Sequence, residues 1–167
     1  MKNHFFRIIL FVLSVIPSFA FSQDRVSLKE TIDFLKPKLK GRHSSTSWFK
    51  YYYDCSMDFD YKTCTMKYKI DGDWSGDSDI INYSIPLKSI NFKNIIYHSK
   101  GFTIELKVNN EETLITKDEV YNGHRDISKE KVVFLYYLDR FDETNSERIK
   151  NALINAIKLC GGKGEAF

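Results

Sequence analysis

The chain has 167 residues, with 43% hydrophobic and 15% aromatic side chains, and 25 Lys and Arg against 22 Asp and Glu. That length suits one domain. Residues 1–22 hold two of the basic side chains and none of the acidic ones, so the remainder carries a formal charge of only +1. Near-neutrality excludes nucleic acid as the expected partner, because neutralising phosphates takes a strong basic excess.

The chain opens with Lys2 and Arg7 as a positive n-region, followed by an apolar run from Ile8 to Phe21. Pro17 and Ser18 break the run, and Ala20 and Ser22 stand at the −3 and −1 positions of a signal-peptidase site. This predicts a cleavable Sec-type signal peptide over residues 1–22, with Gln23 as the new N-terminus and a periplasmic or secreted product. Fourteen residues fall short of the roughly 20 that span hydrocarbon, so no transmembrane anchor is expected after cleavage. Beyond the leader, the sequence divides into an N-terminal helix and linker (23–47), a single β-rich domain (48–162) and a frayed tail (163–167).

Ser27 and Glu30 form the capping box of a first helix, with Leu28, Ile32, Leu35 and Leu39 on one stripe and Pro37 ending or bending it. Gly41 to Ser47 reads as a polar connection. From Trp48 the period becomes two. Tyr51, Tyr53, Cys55, Met57 and Phe59 share one face, as do Cys64, Met66, Tyr68 and Ile70, and a tight connection at Asp58–Tyr61 makes the two runs a hairpin. Further strands are expected over 80–87, 94–99, 102–108, 113–116 and 131–138, with turns at Lys100-Gly101 and Asn109-Asn110. Thr144 and Glu147 form a second capping box, opening a helix with Ile149, Leu153, Ala156, Ile157 and Cys160 on its apolar stripe and Gly161-Gly162 at its end.

The expected fold is therefore α+β, mainly β. About seven antiparallel strands in meander order form an orthogonal sandwich or partly open barrel, closed by the C-terminal helix and preceded by an extra N-terminal helix. A cystatin-like or lipocalin-like sheet is the alternative. The Ser22-Gln23 junction, Ile85-Pro86-Leu87, and the terminal Ile157-Lys158-Leu159-Cys160-Gly161-Gly162-Lys163 carry a resemblance to small exported proteins of Bacteroidota with a pleckstrin-homology-like layout. That resemblance implies a fold and a compartment, not an activity.

The sharpest chemical signal is the segment 71–79. Asp71, Asp73 and Ser75 alternate, Gly76 follows, and Asp77 and Asp79 could complete an oxygen shell for calcium. Position twelve of such a loop is Asn82 and the flanks read as strands, so this is not an EF-hand; the bland reading is a solvated acidic hairpin end. Cys55, Cys64 and Cys160 are disulfide candidates in an oxidising compartment. Cys55 and Cys64 would lie opposite each other across a four-residue loop, and a Cys64–Cys160 staple is equally arguable; otherwise all three are small buried hydrophobes.

His43, His98 and His124 are scattered, without zinc-ligand spacing or a thiol partner. Ser44, Ser45 and Ser47 lack a nucleophile elbow, and Glu111-Glu112 and Asp118-Glu119 read as turn charges. Lys88, Lys93, Lys100 and Lys107 with Phe92, Tyr97 and Phe102 offer a basic, aromatic surface for envelope lipid or an anionic polymer, or simply solvated lysines at a sheet edge. No catalytic constellation stands out. The sequence favours a non-catalytic binding or interaction module of the cell envelope, recognising a protein, lipid or polymer by its sheet surface or an exposed edge. A calcium-stabilised envelope protein is the alternative, and a hydrolase comes third.

Overall fold

In the computed structural model, residues 26–44, 52–74, 77–98, 103–109, 114–136 and 143–164 are described. The chain runs through helix α1 (Leu28–Lys38), β1 (Gly41–Ser44), β2 (Tyr52–Asp60), β3 (Thr65–Trp74), β4 (Asp77–Pro86), β5 (Ile96–His98), β6 (Thr103–Lys107), β7 (Ile115–Tyr121), β8 (His124–Glu130), β9 (Val132–Tyr136) and helix α2 (Glu143–Leu159).

The capping box predicted for α1 is present. Ser27 Oγ accepts from the Glu30 N–H, and Glu30 Oε2 accepts from the Ser27 N–H at 2.7 Å. Pro37 occupies the last turn, where its missing N–H removes one intrahelical bond, and the helix stops one residue later. Ile32, Leu35 and Leu39 are fully buried. Asn155 of α2 donates to Thr31 Oγ1 at 2.9 Å, tying the helices together. The N-terminal helix is thus part of the domain core, not an appendage before it.

Two antiparallel sheets replace the expected meander. The larger has the order β1-β2-β3-β4-β7-β8 and the smaller β5-β6-β9. The chain leaves the large sheet at Pro86, which has no N–H to continue a ladder, and enters a 3-10 turn at Leu87–Ser89 with Leu87 and Ile90 buried beneath it. It builds β5 and β6 apart, returns for β7 and β8, and crosses back for β9. Both sheets retain open edges, so no barrel closes. Six and three strands exceed the predicted seven because Gly41–Ser44, read as a connection, and His124–Glu130, where no strand was expected, both pair. The signal missed at β8 was Asn122-Gly123, whose φ values of 48° and 77° suit a tight two-residue hairpin turn.

One core joins all layers. The inner face of β2, β3 and β4 contributes Cys55, Met57, Phe59, Met66, Tyr68, Ile70 and Ile85, the small sheet Ile104, Leu106, Val133 and Leu135, and α2 Ile149, Leu153, Ala156 and Ile157. Each of the Val, Leu, Ile, Phe and Met side chains among them contributes about 1.5–3 kcal/mol of burial. The start of α2 differs from expectation. The helix already includes Glu143, so Thr144 lies inside it and not at its cap, and Ser146 is buried. Its end behaves as predicted: Gly161 (φ 82°) donates to Lys158 O and Gly162 to Ile157 O, the paired bonds of a Schellman motif. The expected tail residues 165–167 lie outside the described residues.

Candidate functional site

Register across the large sheet decides what its inner face presents. Cys55, Ile70 and Ile81 stand in one row, and Met57, Tyr68 and Tyr83 in the next. At β7 the chemistry changes, for Tyr83 pairs with Lys117 and Ile81 with Glu119. The inner face is therefore apolar where the helices cover it and charged beyond β4. Lys117 and Glu119 form an ion pair there, with side chains only 23% and 29% exposed. Desolvation alone would lower the Lys117 pKa, but the hydrogen bond and charge of Glu119 carry it above the ordinary lysine value.

Strand β9 stands over this face. It pairs with β6 alone among the described residues. On its other side, Tyr136 N–H donates to Tyr68 Oη at 2.9 Å and Tyr68 Oη donates to Tyr136 O at 3.3 Å. A side chain thus takes the place of a neighbouring strand at one residue. By the two-residue period, the backbone N–H and C=O groups of Val132 and Phe134 point to the same free edge, while Val133 and Leu135 pair with β6.

Between that edge and the inner face lies a cleft of about 210 Å³, lined by Ile70, Asp79, Ile81, Tyr83, Val132, Val133, Phe134 and Tyr136. Asp79 is its acid. Asp79 Oδ1 has no exposed surface and no hydrogen-bond partner. Burial raises the Asp79 pKa, the Glu119 charge adds to the rise, and Lys117 offsets part of it. Burial likewise raises Tyr83 and Tyr136. A cleft of this size is below the roughly 300–1,000 Å³ of pockets for drug-sized molecules. It has room for one long side chain, not for an acyl chain.

Of the residues expected to hold calcium, the structure separates Asp71 from Asp79. The ladder between β3 and β4 runs to Trp74 and Asp77, so most of 71–79 is strand and not loop. Asp71 faces outward and its carboxylate takes Lys69 Nζ at 2.7 Å. Asp79 faces inward, as do Ile81 and Tyr83, and strand alternation keeps these two acids from one ion. Asp73 and Asp77 sit at the hairpin end, and Ser75 lies outside the described residues. Among the described residues, no cluster of three or more His, Cys, Asp or Glu is placed to hold a metal.

Cys64 and Cys160 form a disulfide with Cα atoms 5.7 Å apart, and Cys55 is a free, buried thiol. The Cys55–Cys64 pairing fails because the turn is Tyr61–Cys64, not Asp58–Tyr61. Cys55 therefore faces Ile70, and Cys64 sits in the turn with φ 53°. Burial pushes the Cys55 thiol up to about 11.

The other polar candidates disperse. His98 Nε2 lies 3.0 Å from Glu105 Oε2 on β5 and β6, and His124 is exposed at the start of β8. The side chains of His43 and Ser44 lie outside the described ones, as do Ser45, Ser47 and Glu111-Glu112. Asp118 and Glu119 are not turn charges: both lie in β7, Asp118 outward against Arg125 at 2.7 Å and Glu119 inward against Lys117. Lys88 and Lys93 stand on 3-10 turns and Lys107 on β6, while the Phe92 ring is covered by Lys158 Nζ at 4.9 Å. Lys100 and Phe102 lie outside the described residues. No helix among the described residues is long and apolar enough to cross a membrane.

No protein-family model, curated protein or solved structure matches the chain.

Proposed function

We propose that this chain is an exported, non-catalytic binding module that takes an extended segment of a partner protein along the free edge of β9. The single observation behind this reading is the edge itself. Natural sheets blunt their edges with charge, proline or brevity. Strand β8, one edge of the large sheet, follows that rule with His124, Arg125, Asp126, Lys129 and Glu130. Strand β9 does not: Val132-Val133-Phe134-Leu135-Tyr136 carries no charge, its Phe134 is 45% exposed, and its edge adjoins the cleft. An added strand would take its affinity from backbone hydrogen bonds and its selectivity from side chains in the cleft.

Export rests on the leader read over residues 1–22, and the Cys64–Cys160 disulfide suits an oxidising compartment. The layout we assign is pleckstrin-homology-like, similar to the small exported proteins of Bacteroidota. Calcium, taken by acids of the segment 71–79, is the second reading.

Phe134→Pro tests the edge. It removes one outward N–H and leaves the ladder to β6 intact. Binding of an acetylated, amidated octapeptide of alternating Thr and Val, followed by amide shifts in NMR titration, is expected to be lost in this variant while the melting midpoint changes little. Unchanged binding overturns the reading. So does a concentration-dependent dimer in sedimentation, which would assign the edge to a second copy of the chain.

A further inference from the structure

We infer that the cleft beside β9 is a subsite for a lysine or arginine side chain of the bound segment, anchored by the Asp79 carboxylate. This deepens the proposed strand-edge reading and rests on it. Three observations converge. Asp79 Oδ1 is shielded from solvent and lacks a hydrogen-bond partner. A buried acceptor left in that state is costly, and a guest N–H donor relieves the cost. The walls around it are hydrocarbon and aromatic, from Ile70, Ile81, Tyr83, Phe134 and Tyr136. They suit the methylene stem of a long cationic side chain, which buries its stem and presents its charge at the tip.

The balance of charge on this part of the inner face decides the sign of the guest. Lys117 is already engaged by Glu119, and Glu130 accepts from Ser128 Oγ at 2.7 Å. Among the described residues Asp79 has no ion pair of its own, and Lys117 offsets only part of the rise in its pKa, so an acidic guest would add like charge beside Glu119, and an apolar guest would leave Oδ1 orphaned. The cleft of about 210 Å³ admits one such side chain. Alternate residues of a strand added to β9 point to one face, so a basic residue at one position of the segment suffices.

The test compares octapeptides of alternating Thr and Val that differ only at one central residue: Lys, its uncharged isostere norleucine, or Glu. Lys is expected to bind at least tenfold tighter than norleucine, and Glu weakest. Asp79→Asn is expected to bring the Lys and norleucine affinities together while norleucine binding stays as in the parent. Asp118→Asn, on the outward face, is expected to leave the preference intact. Equal binding of Lys and norleucine to the parent protein overturns the subsite but leaves the strand edge standing. Failure of every peptide to shift the β9 amides removes the strand-edge reading and this inference with it. A shift of the Asp79 carboxyl resonance by millimolar calcium without peptide would assign the oxygen to an inorganic cation and also overturns it.

Discussion

The Tyr68 hydroxyl both accepts from the N–H and donates to the C=O of Tyr136, and so completes the backbone pairing of β9 on the side where no strand among the described residues lies beside it. Tyr68 is 1% exposed, and burial holds its hydroxyl neutral far above the usual tyrosine range. Tyr68→Phe keeps the ring and strips both bonds. It is expected to cost about 1–3 kcal/mol in urea denaturation, the range for leaving buried polar groups unpaired. Hydrogen exchange at the Tyr136 amide should quicken most.

The disulfide joins the β2–β3 turn to the end of α2 across 96 residues of sequence. A closed loop of that length corresponds to about 4–5 kcal/mol in the chain-entropy account. Replacing Cys64 and Cys160 by Ser should lower the urea midpoint accordingly, and intact mass should show one bridge lost on reduction. Cys55, buried and with its thiol near 11, should resist iodoacetamide at pH 8 until the chain unfolds.

Asp79 sets a pH dependence of definite sign. Its folded pKa is raised above its unfolded value, so the ionised form disfavours the folded state. The penalty is present above the folded pKa and disappears as pH falls through it towards the unfolded value. Asp79→Asn should therefore raise the melting midpoint at pH 7, by about 2–4 °C for each kcal/mol gained, and the gain should vanish in acid. A lower midpoint at pH 7 would show that the carboxylate is compensated in the free protein.

The two terminal glycines should respond differently. At Gly161 a Cβ would meet nothing within 4 Å, so alanine there costs only the left-handed backbone, about 1–2 kcal/mol. At Gly162 it would stand 2.9 Å from Ile157 O and 3.1 Å from Leu87 O, both backbone atoms that cannot swing aside. Gly162→Ala should be the more damaging change, by thermal melting, because the chain must lift off the Leu87 turn.

Hydrophobic periodicity made much of this fold legible. The inward rows of β2 and β3, the α1 cap and the glycine end of α2 all follow from local pattern. What local pattern does not encode is register and sheet membership. A three-residue shift of the β2–β3 turn moved Cys64 away from Cys55. Pro86 diverted the chain into a second sheet, and β8 hid in a polar, charged run whose only strong mark was Asn122-Gly123. The cleft was the least legible part. Asp79 and Lys117 are 38 positions apart, and Asp79 meets β9 only after two sheets have formed. The sequence assigned Asp79 to a loop with Asp71, and strand alternation put it on the other face.

Amide hydrogen exchange along β9 reports whether its edge is open to an added strand. If the edge is free to receive a strand, the Val132 and Phe134 amides exchange fast in the unbound protein, while Val133 and Leu135, paired to β6, exchange slowly; the lysine octapeptide then protects the first pair and leaves the second unchanged. Val132 and Phe134 amides already protected in the unbound monomer, or unprotected when the peptide is bound, would contradict the strand-edge reading.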